Sequence, residues 1–361
     1  MPDPSGHRAS LNFEPVRKMM ELPYPYLLFL ADVQHPTFAK TAFGLRDWAP
    51  ERCLGELTLP GGTVSTGLPR LCLPEAYARG ARSLVIAVAT PGGAILPGWI
   101  PTLLAALESG LDLISGMHSR LAQNSELAAA AQRLGRRLID VRTPPEGIPI
   151  ATGRKRGGHR LLTVGTDCAL GKKYTALALT RKFRERGVEA EFRATGQTGI
   201  MICGSGLPMD SVVADFAAGA AEMLTPDAAH DHWDIVEGQG SLLHPSYAGV
   251  SLALLHGTQP DVLVVCHEPG RRGMVGLEAY PTPTIEETVE LNLALGRRTN
   301  PLIRCAGVSL NTSSLPEPRA RELLAQHRDR LGMPVADPMR GGPELDELVN
   351  ACLTSTSETS P

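Results

Sequence analysis

Apolar positions along this chain fall in short unbroken runs, separated by stretches with helical spacing. The first run lies within Tyr24–Asp32, whose centre, Tyr26-Leu27-Leu28-Phe29-Leu30-Ala31, has no charged interruption and reads as a buried strand. Runs at Ser83–Val88, Leu111–Ile114 and Leu138–Val141 read the same way. Between them Ile100–Glu108 and Ser125–Leu134 have helical patterns, the second with Asn124 or Ser125 as its N-cap and Gly135 as its stop. The rhythm pauses over Arg142–His159, rich in Pro, Gly and basic residues, and resumes at Arg160. Later strand candidates are Glu189–Arg193, Asp234–Val236, Asp261–Val265 and Ile303–Val308. Tyr174–Arg186 places Ala176, Leu179 and Phe183 on one helical face and stops at Gly187. Short apolar strands alternating with helices predict an open, mostly parallel α/β sheet in each half.

The pattern divides the chain into a flexible extension over 1–20, an N-terminal domain over 21–147, a C-terminal domain over 148–350 and a flexible tail over 351–361. The cluster Gly153-Arg154-Lys155-Arg156-Gly157-Gly158 is expected to be a solvated linker loop. A length of 361 residues suits two domains. With 43% hydrophobic and 20% charged residues the chain has ordinary globular composition, and 4% aromatics leaves the cores to Leu, Val, Ile and Ala. A net charge of −3 offers no general attraction to nucleic acid or to an anionic membrane. No apolar run is long enough to span a bilayer, and the N-terminus lacks a signal-peptide pattern. Seven scattered cysteines, without a C-x-x-C pair, fit a reducing compartment, so a cytoplasmic location is expected.

One segment carries chemistry by itself. Leu161-Leu162-Thr163-Val164 leads into Gly165-Thr166-Asp167-Cys168-Ala169-Leu170-Gly171-Lys172-Lys173-Tyr174-Thr175 and then into a helix. Strand, glycine-bounded loop with lysine, and helix are the context of a phosphate-binding loop, where backbone N–H groups, the helix dipole and a mobile cation meet an anion. Five residues separate the glycines instead of the usual four, and Lys173 stands where a magnesium-binding Ser or Thr is usual. This favours a phosphate neutralised directly by lysines, although Thr175 offers a hydroxyl in another register. The first half contains no G-x-G-x-x-G, so dinucleotide binding there has no support. The fold class is therefore α/β, an N-terminal Rossmann-like open-sheet domain followed by a C-terminal P-loop NTPase-like α/β domain.

Polar segments, the first three bearing glycine, follow the later strands: Ala194–Gly199, Glu237–Ser241, His267–Arg272 and Ser309–Thr312. Carboxyl ends of parallel strands are where such sheets bind ligands. Gly165-Thr166-Asp167 with Gly171-Lys172, followed by Val236-Glu237-Gly238-Gln239-Gly240, resembles dethiobiotin synthetase and related P-loop proteins. A closer resemblance runs from about Met20 through nearly the whole chain. It rests on Ala39-Lys40-Thr41-Ala42, Gly165–Thr175, Ala194–Gly199, Glu237–Tyr247 with His244-Pro245, Leu252–Gly257 and Cys266–Arg271. On these the chain is similar to a family long catalogued as a domain of unknown function, one branch of which is D-glutamate N-acetyltransferase. The resemblance implies transfer of the acetyl group of acetyl-CoA to the amine of D-glutamate.

The residues are compatible with that implication. The loop Gly165, Thr166, Asp167, Cys168, Ala169, Gly171, Lys172, Lys173, Tyr174 and Thr175 would hold the phosphates of acetyl-CoA, which needs no Mg²⁺ for acyl transfer. A dicarboxylate acceptor calls for arginine forks, so Arg193, Arg271 and Arg272, with Thr195, Gln197, Thr198, Gln239 and Asn311, are the acceptor candidates. Amine attack needs a general base. His244 leads, with Glu237 to act or to orient it and His267 in reserve; Cys168 reads as a packing residue. His230-Asp231-His232 matches no zinc spacing, and no metal site is expected. Partners are the small-molecule substrate alone, with no nucleic acid and no membrane, in a homo-oligomer. The alternative is an ATP-dependent ligase or carboxylase of dethiobiotin-synthetase type, using Mg-ATP; a nucleotide-binding switch without turnover would not need so many polar loops.

Overall fold

A computed structural model describes residues 22–354; the expected extension over 1–20 and the tail beyond 354 lie outside the described residues. The N-terminal half is a five-stranded parallel sheet. Its elements are β1 (Tyr26–Ala31), α1 (Lys40–Trp48), β2 (Cys53–Thr58), α2 (Leu73–Ala78), β3 (Ser83–Ile86), α3 (Ile100–Glu108), β4 (Asp112–Ser115), α4 (Ser125–Leu134) and β5 (Leu138–Asp140). Strands run in the order β2-β1-β3-β4-β5. Every residue of β1, β3 and β4 is buried, as befits central parallel strands covered on both faces. Asn124 caps α4 through its Oδ1 to Leu127 N at 3.0 Å, and Gly135 ends it with φ 62°.

The C-terminal half is a six-stranded parallel sheet. It comprises β6 (His159–Gly165), α5 (Lys172–Glu185), β7 (Ala190–Arg193), α6 (Gln197–Cys203), α7 (Ala214–Leu224), β8 (Trp233–Val236), α8 (Ala248–Thr258) and β9 (Val262–His267). A small antiparallel hairpin follows, β10 (Gly273–Met274) and β11 (Leu277–Pro281), then α9 (Ile285–Gly296), β12 (Arg304–Leu310), α10 (Glu317–Leu331), β13 (Val335–Ala336) and α11 (Pro343–Leu353). The sheet order is β13-β12-β9-β6-β8-β7, with β6 between β9 and β8. Helix α11 reaches Leu353 and buries Cys352, so residues 351–353 of the expected tail are ordered helix. Among the described residues no helix is long and apolar enough to cross a membrane.

The halves share a packed junction. Ile200, Met201 and Ile202 of α6 and Leu177 of α5 belong to the N-terminal hydrophobic core. Across the junction Thr41 and Thr198 hydroxyls lie 3.0 Å apart, and Trp48 stacks on Tyr174 with ring centroids 6.2 Å apart. The junction brings the carboxyl ends of β1, β3 and β4 toward the loops that follow β6 and β7.

The basic cluster before β6 corrects the expectation of a solvated loop. Arg156 is buried, donating to Thr225 O at 2.7 Å and to Gly257 O at 2.6 Å, while buried Arg160 donates to Gly157 O at 2.6 Å. Burial pulls the Arg156 guanidinium down to about 10. Only Arg154 and Lys155 stay at the surface, paired with Asp227 at 2.6 Å and Asp261 at 2.7 Å. Spacing alone could not reveal that Arg156 satisfies backbone carbonyls at the ends of α7 and α8 and that Arg160 satisfies those of its own loop.

Candidate functional site

The loop between β6 and α5 is built by close backbone approach. Gly171 precedes α5 with φ 106°, a conformation that side-chain-bearing residues avoid, and no side chain caps the helix. The N–H groups of its first turn therefore face outward without a side-chain acceptor. Beneath them a Cβ on Gly238 would lie 1.7 Å from Thr163 O, so only glycine lets the loop after β8 cross β6 this closely. Gly238 N then donates to Thr163 Oγ1 at 3.0 Å.

Lys172 folds back into this loop. It is buried, and its Nζ donates to Asp167 O at 2.7 Å. Burial lowers its pKa despite nearby Asp167. Lys173 is half-exposed, with its Nζ 4.6 Å from the Tyr174 ring centroid. Burial brings Lys173 down to about 8; Glu237 works against that shift and Lys40 adds to it.

Asp167 ties the loop to the hairpin. Its carboxylate accepts from Cys168 N at 2.6 Å, Arg271 Nη1 at 2.8 Å and Val275 N at 2.9 Å. Burial pushes this carboxyl up, but those donors together hold it below the ordinary carboxylate range. Arg271 also donates to Cys168 O at 2.8 Å and Glu268 Oε2 at 2.9 Å. Buried His244 closes the same corner. Its Nδ1 accepts from Ser246 N at 3.1 Å, and its Nε2 lies 3.2 Å from Val275 O. With an acceptor role forced on Nδ1, Nε2 carries the proton, and neither nitrogen has a free lone pair.

Glu237 occupies the opposite wall. Its Oε2 accepts from Thr195 N at 3.0 Å and Gly196 N at 3.1 Å, and its backbone carbonyl accepts from Thr195 Oγ1 at 2.7 Å. A Cβ on Gly199 would lie 2.5 Å from Oε2, so α6 starts directly on the carboxylate. Gln239 Nε2 donates to Thr195 Oγ1 at 2.9 Å. Desolvation raises the Glu237 pKa above the usual carboxylate value, opposed first by Lys173 and then by the two amides. Oε1 makes no hydrogen bond among the described residues.

The remaining predicted residues divide clearly. His267 ends β9 with Nδ1 3.0 Å from Thr166 Oγ1; burial and the charges of His327, Arg330 and Arg271 bring it down to about 4, so it is neutral near pH 7. Asn311 lies beside it, donating its N–H to His267 O at 2.8 Å. Ala169 takes φ 54° in the loop. Burial pushes the Cys168 thiol above its ordinary value. The Thr175 hydroxyl points to Ser309 Oγ at 2.8 Å, and Tyr174 faces Trp48 at the junction. Arg193 turns to Asp234 at 2.6 Å and Glu191 at 2.8 Å, while Arg272 is exposed on the hairpin side. The three arginines thus do not converge: Arg193 and Arg271 are saturated by carboxylates, and Arg272 stands apart. Sequence reasoning assigned no role to Lys40, which the fold sets near Lys173, nor to Arg142, whose position just after a strand was the available signal.

A glycine-bounded lysine loop between a central parallel strand and a long helix, joined to a second parallel-sheet domain, defines a P-loop α/β protein with a Rossmann-like partner domain. Residues 149–349 match the family model "Domain of unknown function (DUF1611_C) P-loop domain", and residues 61–144 match "Domain of unknown function (DUF1611_N) Rossmann-like domain". The chain is 50% identical over 318 residues to a D-glutamate N-acetyltransferase of Tritonibacter scottomollicae, covering 88% of this chain and 96% of that one. It is 46% identical over 334 residues to a D-glutamate N-acetyltransferase of a Pseudoalteromonas species, covering 92% and 100%. A crystal structure of a DUF1611 family protein from Anabaena variabilis superposes with a TM-score of 0.81 at 31% identity, over 91% of this chain and 99% of that one. The chain belongs to the DUF1611 family, together with these D-glutamate N-acetyltransferases.

Proposed function

We propose that this protein transfers the acetyl group of acetyl-CoA to the amine of D-glutamate. The observation that carries the reading is the juxtaposition of the uncapped, lysine-bearing start of α5 with a buried carboxyl of raised pKa, Glu237. One holds phosphates and the other takes a proton. The names of the relatives from Tritonibacter and Pseudoalteromonas support the acceptor and the acetyl group, and the phosphate-holding start of α5 supports a coenzyme A donor.

The first-turn amides of α5, with Lys172 and Lys173, would hold the phosphates of the donor. The fit is physical: a bare helix start, a left-handed glycine and two cations at one place. Glu237 takes one proton from the ammonium, the amine nitrogen then joins the acetyl carbon as the carbon–sulfur bond breaks, and a second proton from the nitrogen goes to the departing thiolate, which leaves as free thiol. Glu237 is assigned as the base because Oε1 is unencumbered and desolvation strengthens its affinity for a proton. His267, neutral and with Nδ1 satisfied by Thr166, is the reserve. His244, bonded at both nitrogens, positions the hairpin against Asp167. Arg271 does the same from the other side. The protein acts in the cytoplasm as a homo-oligomer on this reading.

Incubation with acetyl-CoA and D-glutamate should release free thiol and N-acetylglutamate in equal amounts by thiol titration and mass spectrometry. Thiol release that is independent of D-glutamate, or a requirement for Mg-ATP, would overturn the reading.

A further inference from the structure

A cavity lies at the carboxyl edge of the N-terminal sheet. Its volume is about 230 Å³, and it is walled by Thr41, Thr90, His118, Arg142, Gln197 and Met201 among others. That is room for an amino-acid-sized molecule, below the roughly 300 Å³ at which sites for larger ligands begin. The strand order β2-β1-β3-β4-β5 reverses direction between β1 and β3, and open α/β sheets bind ligands outside the carboxyl ends at such a switch point. The cavity meets this requirement with the segments after β3 and β4 and with Thr41 of α1, which follows β1.

Its chemistry is anionic recognition. Arg142 is largely enclosed, and its Nε donates to Gly116 O at 2.7 Å while Nη1 pairs with Asp210. Those bonds fix the guanidinium plane. Nη2 bonds nothing among the described residues, so the fork is held in place with donors to spare. His118 also lines the cavity, with Gly93 close against its ring, and the charge of Arg142, with some burial, lowers its pKa. A neutral imidazole there can accept a hydrogen bond from an ammonium group.

The cavity also connects to the assigned base. Gln197 and Met201 line it from α6, and Gly199 of that helix packs on Glu237. The first turn of α6 is therefore a common wall between the cavity and the carboxylate.

We infer that this inter-domain cavity is the acceptor site, with Arg142 gripping a carboxylate of a small amino-dicarboxylic acid at the switch point of the N-terminal sheet. The inference rests on the acetyltransferase reading for the acceptor's identity. It moves the acceptor's anchor from Arg193, Arg271 and Arg272 to the first residue of the Pro-, Gly- and basic-rich stretch Arg142–His159.

Two variants test it. Arg142→Gln removes the charge and should raise the KM for D-glutamate by roughly 30-fold or more, as loss of one partner of an enclosed charge pair does, with the acetyl-CoA Kd unchanged. Because Arg142 also braces Gly116 and Asp210, Ala89→Trp provides a second route. Ala89 is an exposed residue lining the cavity, and the indole would fill it without displacing a core contact. It should raise the same KM and abolish calorimetric binding of D-glutamate to the full chain. Unchanged KM in both variants overturns the inference, and if Arg142→Gln fails to fold, Ala89→Trp decides alone. Should the wild type make no N-acetyl product, the acetyltransferase reading falls. The cavity is then judged by direct D-glutamate binding: retained in Ala89→Trp or undetectable in the wild type, it overturns the inference; lost only in the variant, it supports it.

Discussion

At the scale of single residues, the two lysines of the loop have different tasks. Lys172 keeps one donor on Asp167 O and has others for a phosphate, whereas Lys173 makes no hydrogen bond among the described residues and is free to turn to a ligand. With its pKa brought down to about 8, Lys173 is charged below that value and loses its proton above it. A bound phosphate favours the charged form, so donor binding should take up a proton above about pH 8 and weaken as the pH rises further. Calorimetry at pH 9 in buffers of different ionisation enthalpy reads that uptake. Lys173→Arg, which stays charged, should show none. Glu237 has the opposite sense: protonated forms dominate below its raised pKa, and activity should fall as the pH drops through it. Glu237→Gln should lower kcat by ~10²–10⁴ and remove that acidic limb, with donor affinity retained. A normal kcat in Glu237→Gln together with a large loss in His267→Ala would move the base to His267.

At the scale of elements, the loop after β8 depends on one glycine. Gly238→Ala would drive a methyl into Thr163 O, where a Cβ has only 1.7 Å. Overpacking of this kind costs about 1–3 kcal/mol, so the melting temperature should drop by several degrees and donor binding should suffer with it. An unchanged Tm would mean that the loop after β8 does not touch β6. The central strands and the helices Ile100–Glu108 and Ser125–Leu134 were legible in the sequence because their patterns are continuous and, in the second helix, Asn124 and Gly135 mark the ends locally. Strand β2 was not. Gly55 and Glu56 interrupt its apolar run, and the reason is tertiary: a Cβ at Gly55 would lie 2.6 Å from Pro69 O, and Glu56 accepts from Ser65 Oγ at 2.6 Å and Thr66 N at 2.7 Å. The phosphate loop was legible as a motif. Which arginines face a ligand was not, because spacing does not say that Arg193 is spent on Asp234 or Arg271 on Asp167.

At the scale of the whole molecule, two sheets meet at their carboxyl edges through α1, α5 and α6. The C-terminal sheet supplies the phosphate loop and Glu237, and the N-terminal sheet supplies the inter-domain cavity. With Lys173 standing where a magnesium-binding hydroxyl is usual, turnover should persist in excess EDTA; loss on chelation and recovery with Mg²⁺ would favour a ligase instead. The claim on which the rest depends is that the lysine-bearing loop holds the acyl donor. Its most direct test is a calorimetric titration of acetyl-CoA into the wild type, Lys172→Ala and Lys173→Ala, each with and without Mg²⁺. The account predicts metal-independent binding to the wild type and affinities about ten- to a hundredfold weaker in the variants, the loss of a charge-assisted hydrogen bond. Equal affinities in all three proteins, or binding only with Mg²⁺, would contradict it.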